Sequence, residues 1–101
     1  MNSFSTTVLN KVKNIPKGKV TTYKILADKI GHPKAYRAVG NGLNKNYNLV
    51  KIPCHRVVRV DGKVGGYKIG AKRKIYLLKK EGIEIDKNGV IKNLKKFLYK
   101  F

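Results

Sequence analysis

The sequence predicts a small, mainly helical α+β domain built around a helix-turn-helix and short hairpins. Apolar residues recur at helical spacing in successive stretches before residue 44. Asp61-Gly62 and Asn88-Gly89 are dipeptides that favour tight hairpin turns. At 101 residues, without an internal repeat or a linker-like stretch, the chain reads as one domain over residues 1–101 with a single modest core.

The elements follow in order. Phe4, Val8, Val12 and Ile15 place one apolar face on a helix over about 4–14. Pro16 and Gly18 in "IPKGK" break it. Thr21 or Thr22 can cap a second helix that runs to Ile30, with Ile25, Leu26 and Ile30 facing inward. Gly31 ends that helix. Pro33 suits the first position of a third, which carries Ala35, Ala38, Val39 and Leu43. Two short helices joined by a Gly-containing turn form a helix-turn-helix, and Lys34 and Arg37 put cations at the end of the second that would enter a groove. Residues 44–53 are irregular. "RVVRVDGKVGGY" alternates around its Asp-Gly turn as a hairpin, and "GAKRKIYLLKKEG" reads as a helix with Ile75 and Leu78 inward and Gly82 closing it. "IEIDKNGVIKN" forms a second small hairpin. The basic, aromatic tail "LKKFLYKF" can either pack on the body or fray.

Charge is the strongest compositional feature. Against 24 Lys and Arg stand 5 Asp and Glu, a formal net charge of +19. So large an excess must face water and repel itself, and a polyanion such as nucleic acid relieves the repulsion. Composition alone fits a basic nucleic-acid-coating protein equally well. No apolar run is long enough for a signal peptide or a membrane span, which points to a cytoplasmic, DNA-associated protein without a membrane partner. One Cys cannot form an internal disulfide, and a lone Cys with two distant His lacks zinc-ligand spacing, so no metal is expected.

That cysteine, Cys54, sits in "KIPCHRVVRV" between Pro53 and His55. A thiolate is the reactive form of cysteine, and a nearby imidazole can take its proton, through a water where the two do not touch. The imidazole needs an acceptor to set its tautomer, and Glu81 is one of few candidates. An inert buried Cys beside a surface His is the plainer alternative on these residues alone.

"IPCHRVV" resembles the active-site signature of the O6-alkylguanine-DNA alkyltransferases. "GKVTTYKILADKIGHPKAYRAVGNGLNKN" is similar to that family's helix-turn-helix segment, and "GKVGGYKIGAKRKIYLLKKEG" to its substrate loop and following helix. The resemblance covers roughly residues 4–82. It implies a winged-helix-like catalytic domain that flips O6-alkylguanine, chiefly O6-methylguanine, out of duplex DNA. The alkyl group passes irreversibly to the protein's own cysteine, once per chain, by a monomer without a cofactor. By the same resemblance Cys54 is the alkyl acceptor, and His55, oriented by Glu81, takes the thiol proton through a water. Tyr23 crowds the target phosphate and protonates the departing guanine, and Asn46 braces the turn under the cysteine. Arg37 is the finger that fills the gap in the stack, with Thr22, Lys34, Ala35 and Tyr36 beside it on the DNA-binding surface. Val57, Tyr67 and the backbone near Lys68 form the guanine pocket.

The chemistry agrees with that assignment. O6 lies inside the base stack, so attack by sulfur requires extrusion of the nucleotide, and a side-chain wedge offsets part of its cost. Taken singly, Tyr23 reads as a packing residue, Asn46 as a loop residue and Glu81 as a solvated helix end. Their joint spacing around "PCHR" carries the assignment. Because the resemblance starts at about residue 4, the expectation is a catalytic portion without the family's usual N-terminal α/β domain. Alkyltransferase-like sensors are similarly short but carry a tryptophan where this chain keeps Cys54, which favours transfer over sensing. Tyr36 is bulkier than in many relatives, and Ile69 stands where others have Trp or Gly.

Overall fold

The computed structural model describes residues 4–49 and 51–101. Helix α1 spans Phe4–Val12 and buries Val8, Leu9 and Val12, the stripe that its spacing predicts. The chain then turns through Pro16 and Gly18 into a two-residue strand β1, Thr21–Thr22. Thr22 starts helix α2, Tyr23–Lys29: its extended backbone frees the hydroxyl to accept a hydrogen bond from Ile25 N at 3.0 Å. Helix α3, Tyr36–Leu43, buries Val39, Gly42 and Leu43 against α1 and α2.

Pro33 does not open α3. It lies in a turn closed by Ala35 N donating to His32 O at 2.9 Å, and the helix begins three residues later. Proline's fixed φ suits the second position of such a turn as well as a first helical turn, so residue type alone could not separate the two.

Cys54–Arg56 form one turn of 3-10 helix, followed by strand β2, Val57–Val58. β2 pairs in parallel with β1, Thr21 opposite Val57 and Thr22 opposite Val58. Successive strand residues face opposite ways. Val57 accordingly joins one core with α1, α2, α3 and Cys54, while Val58 joins a second with Val64, Leu78, Ile83 and Phe97. The small sheet thus sits between two apolar clusters.

The expected hairpin at Asp61-Gly62 is half right. The turn forms, with Gly62 at φ 90°, but Val57 and Val58 are already paired with β1. Across the turn Arg59 N donates to Lys63 O at 2.9 Å, and beyond that the returning arm pairs with a later segment, Lys63 with Val90. The hairpin around Asn88-Gly89 does form: Ile85 bridges Ile91, and Asp86 Oδ1 accepts from Asn88 N and Val90 N. Helix α4, Ala71–Lys80, ends at Gly82, where φ is 92°. The tail packs on the body. After α5, Leu94–Phe97, Leu98 bridges Val20 beside β1, and Tyr99 and Phe101 lie against the first core.

Candidate active site

Cys54 lines a cavity of about 460 Å³ whose walls include Tyr23, Arg37, Gly65, Tyr67 and Lys68. Cys54 as a whole is 4% exposed. Asn46, in the loop after α3 and almost fully buried, donates from Nδ2 to Ile52 O at 2.8 Å and to Cys54 Sγ at 3.3 Å. Its Oδ1 accepts from Asn48 N at 2.8 Å, so one side chain ties both ends of the loop to the sulfur. Burial pushes the thiol's pKa up, and the Asn46 hydrogen bond and the Lys74 charge oppose the rise. At rest the sulfur keeps its proton.

Behind the cysteine the 3-10 turn brings His55 to Glu81 at the end of α4. His55 Nε2 and Glu81 Oε2 are 2.9 Å apart. Arg56 grips the same carboxylate twice, Nε to Oε1 at 2.9 Å and Nη2 to Oε2 at 2.7 Å, and donates from Nη1 to Ile15 O. Burial alone would raise the Glu81 carboxyl, but the bonds from Arg56 and His55 hold it below its ordinary value. Burial lowers His55, with Glu81 partly restoring it. A charged carboxylate only accepts, so Nε2 must carry the proton of the neutral ring. Nδ1 is then a bare lone pair; it is buried and makes no hydrogen bond.

Behind the cavity wall, Tyr23 has a partner that the sequence reading missed. Lys74 is fully buried, and its Nζ donates to Gly66 O at 2.9 Å and to Tyr23 Oη at 3.3 Å. Burial lowers its pKa to about 7, against a smaller rise from Cys54. Tyr23 is raised by burial and by Cys54, with Arg59 opposing. The signal was present: Ala71, Lys74, Ile75 and Leu78 share one helical face, so Lys74 interrupts an apolar stripe. Gly65 makes the close fit possible, since a Cβ there would meet Tyr23 Oη at 3.0 Å.

The remaining expected residues divide. Arg37, Tyr36, Tyr67 and Lys68 line the cavity, and Lys68 Nζ also donates to Asn46 O at 2.7 Å. Lys34 is exposed beside a neighbouring groove, and Ala35, half-buried, is the residue before α3. Two expectations are corrected. Val57 is fully buried in the first core and does not line the cavity, because its strand pairing turns it inward. Thr22 is buried and its hydroxyl caps α2, so that group is not free for DNA. Among the described residues no three His, Cys, Asp or Glu side chains are grouped as metal ligands, and no helix is long and apolar enough to cross a membrane.

Comparison with known proteins gives a consistent result. A methylated-DNA–protein-cysteine methyltransferase of Methanosarcina acetivorans is 47% identical over 78% of this chain and 51% of its own length. One from Saccharolobus islandicus is 49% identical over 81% of this chain and 52% of its own. The chain therefore spans about half the length of these relatives. Among solved structures, S. pombe Atl1 bound to damaged DNA containing O6-carboxymethylguanine superposes with a TM-score of 0.82 at 33% identity, covering 99% of both chains. Mycobacterium tuberculosis OGT in complex with DNA gives 0.77 at 39% identity over 81% of this chain and 50% of that one. Residues 3–83 match the family described as 6-O-methylguanine DNA methyltransferase, DNA binding domain, and the chain belongs to that family.

Proposed function

We propose that this chain is a cytoplasmic DNA repair protein. It flips O6-alkylguanine, chiefly O6-methylguanine, out of the duplex and transfers the alkyl group irreversibly to Cys54. The observation that supports this most strongly is the pairing of two proton carriers with one thiol. A base-ready His55 Nδ1 lies in the residue next to Cys54, and Tyr23, in the wall of the cavity that Cys54 lines, is backed by the buried Lys74.

The step follows from those groups. His55, through a water, removes the thiol proton, and Glu81 and Arg56 hold the ring in the tautomer that can accept it. Sulfur attacks the alkyl carbon, the carbon–O6 bond breaks, and its electron pair leaves with guanine. Tyr23 supplies the proton that neutralises the departing base, and the Lys74 ammonium stabilises the tyrosinate left behind. A second reading, a sensor that flips the base and does not react, draws on the likeness to Atl1 along the whole chain. Intact-mass measurement after mixing with an O6-methylguanine duplex separates them: the transfer reading requires a methylated chain, and an unchanged mass with tight binding favours the sensor.

Two further outcomes are expected. A domain of net charge +19 must displace counterions when it binds, so log affinity for duplex DNA should fall linearly with log salt, with a slope of about −0.9 for each phosphate contacted. A flat dependence would exclude an electrostatic interface. Arg37→Ala should slow repair in duplex DNA more than reaction with free benzylguanine, because a wedge matters only where a stack must open. Equal slowing on both substrates would make Arg37 a structural residue.

A further inference from the structure

A second groove, of about 520 Å³, adjoins the Cys54 cavity and is lined by Lys24, Lys34, Val60 and Asp61. Among the described residues only Tyr23, Tyr36 and Arg59 line both, so they form the wall between the two. If a nucleotide occupies the cavity and the duplex continues over the adjoining groove, its phosphodiester crosses this wall. Arg59 is the one cation on it.

In the free protein that cation is already engaged. Arg59 Nη2 donates to Asp61 Oδ2 at 2.8 Å, with both side chains about half exposed. The turn between them fixes the geometry: Gly62 N donates to Arg59 O at 3.0 Å, and Asp61 Oδ1 accepts from Lys63 N at 3.1 Å. Asp61 is the one carboxylate lining either space among the described residues. A lone acid beside the path of a polyanion opposes binding, yet the chain carries few acids and places one there. Carboxylate and phosphate oxygens offer a guanidinium the same kind of acceptor.

We propose that Asp61 stands in for a DNA backbone phosphate on Arg59. It holds the guanidinium across the wall until the phosphate beside the extruded nucleotide displaces it. This rests on the reading that the cavity takes a nucleotide of duplex DNA. The exchange is easy because an exposed ion pair is weak. Asp61 is therefore a brake on binding that acts through one partner, and it sets how much of Arg59's charge the DNA can use.

A double-mutant cycle in the Cys54→Ser background, which holds the complex before transfer, tests this against an O6-methylguanine duplex at several salt concentrations. Asp61→Asn keeps the amide oxygen for Lys63 N and should tighten binding about two- to fivefold, the scale of an exposed ion pair. It should also steepen the salt slope. Arg59→Met should weaken binding and flatten the slope by about 0.9, one phosphate's worth. In the Arg59→Met background Asp61→Asn should give no gain, and Arg59→Gln serves as a second form of that background. An equal gain in both backgrounds would reduce Asp61 to general charge repulsion, and weaker binding by Asp61→Asn would make it a brace for Arg59. Either result overturns the inference while leaving the DNA-repair reading intact. A parent protein without salt-dependent duplex binding would overturn both.

Discussion

With O6-methylguanine duplex in excess, each chain is expected to take up one methyl group, on Cys54, and then stop. Attack by sulfur on the methyl carbon makes a thioether, not a thioester, and water does not readily hydrolyse that bond. A second thiol could remove the group only if the chain carried one, and it has a single cysteine. The proposed step needs one deprotonation. Burial keeps the thiol protonated at rest, and the bare His55 Nδ1 is the nearest basic nitrogen in sequence. Cys54→Ser should bind the duplex normally and accept nothing, because a hydroxyl is far harder to deprotonate than a thiol and a poorer nucleophile at carbon. Titration followed by intact mass and peptide mapping gives the answer. More than one turnover per chain, or methyl on another residue, would sink the mechanism.

The parts of this site that were legible in the sequence are those that local pattern encodes. Helical spacing gave α1 and α2 nearly to the residue, and Gly82 marked the end of α4 through its positive φ. His55 and Glu81, far apart in sequence, were joined by resemblance, and the fold places them 2.9 Å apart. What failed is non-local. Val57 and Val58 look like one arm of a hairpin because they precede a tight turn, but β1 claims them in parallel from across the domain. No nearby residue announces that pairing. Nothing local sets Arg56 apart from the other cations, and only the fold brings it against Glu81 and Ile15. Lys74 was hidden by its neighbours. In a helix that also carries Lys72, Arg73, Lys79 and Lys80, one more lysine reads as solvated, and only its place on the Ile75–Leu78 face betrays burial.

Lys74→Met should stabilise the fold at pH 6, lose that advantage by pH 10, and slow alkyl transfer. Burial lowers the lysine's pKa to about 7, while an unfolded lysine titrates near 10.4. Between those values the unfolded chain binds a proton that the folded chain does not, so the Lys74 contribution to stability rises with pH across the window. Below pH 7 both states are protonated and the full cost of the buried charge remains. Methionine fills similar space without charge, but Gly66 O and Tyr23 Oη each lose a donor. Offsetting about 1.4 kcal/mol per pKa unit against those lost hydrogen bonds leaves a gain of roughly 1–3 kcal/mol at pH 6. Near pH 10 the lysine is neutral when folded, the charge cost is gone, and the variant should be the less stable protein. Cys54 and Tyr23, both raised by burial, tilt stability the other way in the alkaline range. They are present in both proteins, so the difference between wild type and variant reads Lys74 together with its coupling to Cys54. In the proposed reaction, loss of the ammonium would remove the charge that stabilises Tyr23 as it gives up its proton, and single-turnover transfer at pH 7 should fall at least about tenfold. Thermal melts from pH 6 to 10, paired with rapid-quench transfer rates, measure both effects. A variant destabilised equally at every pH, with transfer unchanged, would make Lys74 a plain brace of the Gly66 loop and remove it from the chemistry.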